Sequence, residues 1–157
     1  MKMRRARESE AEQLSALARA AKAQWGYSAA VLQSWRSQLT LGAVDIRERP
    51  TFVIERGEDI AGFYTLVPAA NIWALDNLWV APAYTRQGIG RRLLAHALEF
   101  AARHGVAQVS VDADPNAEAF YLRCGAERRG AISAPIPGEP DRVRPQLFFT
   151  LRPPAGG

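Results

Sequence analysis

Apolar residues recur along the chain at two periods, and the changes between them mark its elements. Leu14, Leu17, Ala18 and Ala21 fall three and four apart, which predicts an amphipathic helix. Ser9, with Glu12 three residues later, has the capping-box pattern for its start. Residues 2–7 read as a short first strand. Trp25-Gly26-Tyr27 interrupts the helix, and Ser28 then caps a second one through Val31, Leu32, Trp35 and Leu39. After a polar connection the period shortens. Residues 51–55 and 60–67 predict strands, joined into an antiparallel hairpin by Arg56-Gly57-Glu58-Asp59.

Residues 73–80 form a nearly continuous apolar run, as expected of a strand buried on both faces. Asp76 and Asn77 interrupt it. A buried carboxylate is costly unless hydrogen-bonded or put to use, so Asp76 is either a site residue or a structural hydrogen-bonding group. The longest helical pattern, residues 88–104, carries Ile89, Leu93, Leu94, Ala97, Phe100 and Ala101 on one face and stops at Gly105. His96 and His104 then read as surface or helix-end residues. Residues 106–112 form a strand, and strand, helix and strand make a right-handed unit if the two strands are parallel. Asp114-Pro115-Asn116 caps a short helix over 117–124, closed by Gly125. Strands near 127–130 and 146–151 bracket a proline-rich loop at 133–145, and the last residues read as a frayed tail. The pattern describes a single α/β domain over residues 1–152, built on one mixed sheet of six or seven strands, with 153–157 as tail.

Composition changes the picture only at its edges. A chain of 157 residues that is 48% hydrophobic fits one domain with a real core. No apolar run approaches the ~20 residues of a membrane span, and the first residues lack a signal-peptide core, so a cytoplasmic protein is expected. Cys124 is the single cysteine, which excludes an intrachain disulfide and a cysteine-rich metal site. No histidine lies close to it in sequence, and it reads as packing, not as a nucleophile. The net charge is +4 and eighteen of twenty basic residues are arginine, a side chain suited to bidentate phosphate binding. That field favours a polyanionic small ligand. No dense basic helix with base-reading residues is present, so nucleic acid is not an expected partner.

The charge concentrates at Thr85-Arg86-Gln87-Gly88-Ile89-Gly90-Arg91-Arg92, between the third strand and the long helix. Glycines let the backbone approach a ligand, and a helix start presents unpaired N–H groups to an anion. Cations in a first turn oppose the helix dipole, so these arginines are badly placed unless something negative binds among them. The plain alternative is a glycine turn with arginines in solvent. A P-loop is excluded, because neither glycine is followed by Lys-Ser or Lys-Thr. A dinucleotide turn fails because Leu93 holds the third glycine position and seven residues separate Val80 from Gly88.

Downstream, Asn116-Ala117-Glu118-Ala119-Phe120-Tyr121-Leu122-Arg123-Cys124-Gly125-Ala126 places an Asn, a Phe-Tyr pair and a helix-ending glycine just after the next strand. With Leu78-Trp79-Val80-Ala81-Pro82-Ala83-Tyr84 leading into Gln87-Gly88-Ile89-Gly90, this resembles the GNAT family of acetyl-CoA-dependent N-acetyltransferases. The resemblance spans about residues 75–126. Thr85 stands where the family usually has Gln or Arg, Arg86 where glycine is frequent, and Ala126 where phenylalanine closes the second signature.

The resemblance implies a mostly antiparallel sheet with a parallel, splayed central pair and about four flanking helices. It implies acetyl-CoA as co-substrate and no metal. Leu78, Trp79 and Val80 would hold the pantetheine arm as an added strand, and Arg86, Gln87, Gly88, Ile89, Gly90 and Arg91 would wrap the pyrophosphate. An N–H near Trp79 or Val80 would stabilise the tetrahedral oxyanion. Tyr121 would protonate the leaving thiolate, Asn116 and Phe120 would contact the cofactor, and Asp76 would serve as base, directly or through water. Trp25 and Tyr27 either pack on the core or wall the acceptor pocket together with the 132–146 loop. The expected partner is a small-molecule or peptide amine, with a homodimer as the open oligomeric option and no membrane. A non-catalytic acyl-CoA sensor of the same fold is the alternative from another class.

Overall fold

The computed structural model describes residues 1–152. Its strands are β1 (Lys2–Arg5), β2 (Thr51–Arg56), β3 (Asp59–Val67), β4 (Ile72–Val80), β5 (Gln108–Asp112), β6 (Glu127–Ser133) and β7 (Val143–Thr150). The helices are α1 (Ala11–Ala23), α2 (Ala29–Ser34), α3 (Ala43–Glu48), α4 (Ile89–Arg103) and α5 (Glu118–Arg123), with short 3-10 turns ahead of α1, α4 and α5. The strands form one mixed sheet in the order β1-β2-β3-β4-β5-β7-β6. Its parallel pair is β4 with β5, in register over Ile72–Ala74 and Gln108–Ser110. The chain divides into two compact units, Met1–Val67 with Asn77–His96 and Pro68–Asp76 with Ala97–Gly157. The expected tail at 153–157 lies outside the described residues.

In the first unit the hairpin forms as its pattern predicts. β2 and β3 pair antiparallel around a turn in which Gly57 takes φ 63°. One face of these strands, with Val53, Ile60 and Phe63, packs against Leu14, Leu17 and Ala18 of α1 and against Leu39, Leu41 and Ile46. The helix starts explain two departures from the expected elements. Ser9 does not cap α1. The Glu10 carboxylate instead closes the 3-10 turn Glu8–Glu10 that leads into α1, accepting from Arg7 N at 2.7 Å and from both terminal nitrogens of Arg4 at 3.0 and 2.7 Å. Arg4 Nε lies 3.0 Å from Glu55, which ties the pair to β2. Ser28 caps α2 as expected, accepting from Val31 N at 3.2 Å. That helix ends at Ser34, however, and Leu39 reaches the core through turns instead. α3 occupies part of the expected polar connection. It is held by an Asp45 carboxylate that accepts from Gly42 N, and it buries only Ile46, too little apolar surface to show a period.

The other face of β3 meets α4 without a side chain between them. A methyl built on Gly62 would lie 2.7 Å from the Trp79 carbonyl oxygen, 2.9 Å from Leu93 Cδ1 and 3.4 Å from Ile89 Cγ2. The Ala81 N–H donates to the Ala61 carbonyl at 2.8 Å beside this contact. Tyr64, on the same strand, is buried, and its hydroxyl lies 2.7 Å from His96 Nδ1. Burial raises that phenol above its ordinary value, so the hydroxyl keeps its proton in this contact. His96 is therefore a packed residue, stacked also near Phe52, and not the surface residue expected from its helix position.

In the second unit, β5 pairs with β7 and β7 with β6, all antiparallel. His104 is exposed, as expected, and Gly105 stops α4 at φ 77°. The proline-rich loop is shorter than its composition suggests. β6 continues to Ser133 and β7 starts at Val143, with Pro145 inside the strand. Proline cannot donate to the ladder there, though its carbonyl accepts from Ala113 N at 3.0 Å. The outer face of β6 is exposed along its length, so it lacks the alternation that would have revealed it.

Two predictions follow from these contacts. Gly62→Ala should lower stability by roughly 1–3 kcal/mol in denaturant unfolding, because backbone oxygen cannot yield as a side chain does. Glu10→Gln should cost about 1.5–3 kcal/mol at pH 7. Arg4 holds the Glu10 carboxyl below the usual carboxylate range against the opposing effect of burial. The stabilisation is therefore present above the ordinary glutamate value and lost as pH falls through the lowered one. Urea unfolding of both proteins from pH 7 toward pH 3 should show the difference shrinking with acid.

Candidate functional site

The glycine and arginine stretch forms an open, left-handed turn ahead of α4. Arg86 has φ 62° and Gly88 φ 77°, and a methyl built on Gly88 would meet nothing within 4 Å. Arg86 is the only residue other than glycine with positive φ among the described residues. It stands where the resembled family often has glycine, and it takes the conformation that glycine would favour, at a cost of about 1 kcal/mol. Arg86, Gln87, Arg91 and Arg92 are exposed, and the first turn of α4 holds no acidic residue. Two cations and a left-handed arginine thus surround the positive end of a fifteen-residue helix. Ile89 departs from the rest of the turn. Its side chain is buried toward Gly62, so it offers a ligand only its backbone. Gly90 is half-buried, and the Arg92 N–H closes the first helical bond onto the Gly88 carbonyl at 3.1 Å. Tyr84 anchors the approach to this turn by donating its hydroxyl to the Asp59 carboxylate.

Leu78, Trp79 and Val80 end β4, all half-buried. Trp79 Nε1 donates to Asn77 Oδ1 at 3.0 Å, so the buried polar group of this strand is Asn77, at 8% exposure. Asp76 is exposed. The expectation of a strand buried on both faces is corrected accordingly. Trp73 packs near Phe100 and His104 of α4, and Trp79 packs on the core beneath α1. Along β4, Trp73, Leu75 and Asn77 are buried while Ile72 and Asp76 are exposed, so the strand alternates and Asp76 lies on its exposed side.

Trp25 and Tyr27 are brought together with Trp79 and Trp35. The ring centroids of Trp25 and Trp79 are 5.9 Å apart, and Tyr27 meets Trp35 edge-on at 4.8 Å. Lys22 sits among all four rings. Its Nζ lies 4.6 Å from the Trp35 centroid, 5.5 Å from those of Trp25 and Tyr27 and 5.9 Å from that of Trp79. The sequence reading omitted Lys22, although its position one helical turn before Trp25 was a usable signal. Trp35 packs against the core as expected and also faces the ammonium.

In the second unit, Asn116 begins the turn into α5. Asp114 Oδ1 accepts from the Asn116 backbone N–H at 2.8 Å and from its amide at 2.9 Å. Arg142, from the 133–145 segment, lies 3.4 Å from Asp114, both side chains being 5% exposed. Asp114 and Arg142, 28 residues apart, carry no motif that could have paired them in the sequence. Phe120 and Tyr121 meet edge-on at 5.2 Å, and Tyr121 also faces Phe149. Tyr121 is 6% exposed. Burial, with Cys124 nearby, pushes its phenol above the ordinary value, which keeps it protonated and able to donate. Cys124 ends α5 half-buried. Among the described residues no cluster of His, Cys, Asp or Glu could hold a metal ion, and no helix is long and apolar enough to cross a membrane.

This fold is shared with known acetyltransferases. The PaiA N-acetyltransferase of Thermoplasma acidophilum, solved with coenzyme A, aligns at a TM-score of 0.76 and 18% identity, over 95% of this chain and 98% of that one. The ribosomal-protein-S18-alanine N-acetyltransferase of Escherichia coli aligns at 0.74 and 18%, over 99% and 97%. YncA of Salmonella typhimurium, described as a putative acetyltransferase and solved with acetyl-CoA, aligns at 0.71 and 16%, over 100% and 97%. No curated protein matches the sequence. A model of the Acetyltransferase (GNAT) family matches residues 12–126, and the chain belongs to that family.

If the arginine at the turn is strained, Arg86→Gly should raise stability by about 0.5–1 kcal/mol in thermal or denaturant unfolding, despite the freedom that glycine adds to the unfolded chain. A loss of stability would show that Arg86 makes contacts worth more than its conformation costs.

Proposed function

We propose that this protein transfers an acetyl group from acetyl-CoA to the primary amine of a small molecule or peptide. The observation that carries the reading is the turn before α4. Left-handed Arg86 and Gly88 open the backbone, and exposed arginines without a compensating acid line the helix start. A pyrophosphate answers both features. Backbone N–H groups from Gly88 to Arg91 would bind it, with Arg86, Gln87 and Arg91 supplying side-chain contacts. Leu78, Trp79 and Val80 would hold the pantetheine arm in the manner of a paired strand.

The remaining roles rest on the family signature. Tyr121, kept as a neutral phenol by burial, would donate a proton to the departing thiolate. Asn116, held by Asp114, would orient the pantetheine or the Tyr121 hydroxyl. Phe120 would line the donor site. Asp76, exposed on β4, would accept the proton of the incoming ammonium through water. Trp25 and Tyr27 would line the acceptor side.

Thiol release from acetyl-CoA, measured across a panel of primary amines, should show turnover with at least one of them. Coenzyme A binding without turnover on any amine would leave a sensor in place of an enzyme. Tyr121→Phe should lower kcat by at least about tenfold while leaving acetyl-CoA affinity nearly unchanged. An unchanged kcat, with the chemical step rate-limiting, would remove the acid role.

A further inference from the structure

Four aromatic rings converge on one ammonium. Trp25 and Tyr27 come from the turn after α1, Trp35 from the end of α2 and Trp79 from β4, and each ring lies within 6 Å of Lys22 Nζ. Single cation–aromatic contacts are common in proteins, at roughly one per 70–80 residues. Rings gathered around one cation are the arrangement that recognises quaternary and methylated ammonium groups, and here the cation they hold is the primary ammonium of Lys22. A space lined only for packing would be filled by an apolar side chain, because an ammonium there gives up hydration. One wall is open, with Trp25 37% exposed. The occupant arrives on a four-carbon stem, so the enclosure accepts a primary alkylammonium by demonstration.

We infer that this aromatic enclosure is a recognition site for a primary alkylammonium group on an unbranched aliphatic stem, and that Lys22 is an internal occupant which the guest displaces. Assigning that guest as the acetyl acceptor rests on the function proposed above. It narrows the acceptor from amines in general to extended aliphatic ones. It also makes Lys22 a competitor, so the affinity of the free protein is reduced by the fraction of time its own side chain fills the site.

The test is a tryptophan-fluorescence titration with n-butylammonium chloride at constant ionic strength, without acetyl-CoA, and with n-butanol as the neutral control. Lys22→Ala should bind n-butylammonium roughly three- to thirtyfold more tightly than the unaltered protein. The double variant Lys22→Ala/Trp35→Leu should lose that gain, and n-butanol should bind far more weakly to every variant. Thermal unfolding verifies that each is folded, and Trp25→Leu, at an exposed ring, replaces Trp35→Leu if the latter is not. A parallel titration with a blocked tripeptide centred on lysine separates the two sources of the group. Binding equal to n-butylammonium extends the guest to protein lysines, and exclusion restricts it to free amines. An unchanged affinity in Lys22→Ala, or equal binding of n-butanol, overturns the inference. Because no acetyl donor is present, the titration and the thiol-release assay can fail independently.

Discussion

The absence of a side chain at Gly62 fixes the placement of everything that surrounds the proposed donor site in the first unit. Ile89 and Leu93 bring the first turns of α4 down onto β3, and the Trp79 carbonyl closes over the same spot from β4. The strand end that would receive the pantetheine and the helix start that would receive the pyrophosphate are thus registered against one atom-sized gap. Interiors are packed like solids, so a displacement of half an ångström there is transmitted to both. The Ala81 to Ala61 hydrogen bond and the Tyr84 to Asp59 contact fasten the segment between them. Glycine in a strand interior ordinarily weakens it. At Gly62 the close approach is what the substitution by glycine provides.

The turn before α4 breaks two local rules at once. Arginines stand at the wrong end of a helix dipole, and one of them occupies a left-handed conformation that its side chain disfavours. Either violation alone is ordinary. Their coincidence in seven residues, on an exposed loop, is what a site that exchanges local stability for ligand affinity would show.

Elements defined by contacts close in sequence were legible before the structure. The β2–β3 hairpin, the Ser28 cap and the Gly105 stop each depend on residues within a few positions of one another. Features defined by distant partners were not. Glu10 closes the turn ahead of α1 because Arg4, itself paired with Glu55, holds it there, and His96 is internal because Tyr64 hydrogen-bonds to it across 32 residues. Asp76 misled for a related reason. An apolar run was read as burial on both faces, while the strand alternates, turning Asn77 inward and leaving the carboxylate outside. Of the candidate site, the turn before α4 and the Asn116 to Gly125 signature were readable as motifs. Lys22 and the pairing of Asp114 with Arg142 emerged only from the fold.

The burial of Tyr121 and the enclosure of Lys22 bear on the same chemical difficulty from opposite sides. Amine acylation needs a neutral nucleophile and a protonated leaving group at one pH. A phenol raised by burial remains a proton donor well into the alkaline range, so the donor half of that requirement is insensitive to pH around neutrality. The acceptor half is harder, because aromatic faces attract the ammonium form and so oppose its deprotonation. An enclosure of this kind therefore suits the capture and orientation of the amine, while the proton must leave through water at the open edge beside Trp25. Recognition and deprotonation are then separate steps, and only the second should depend on pH.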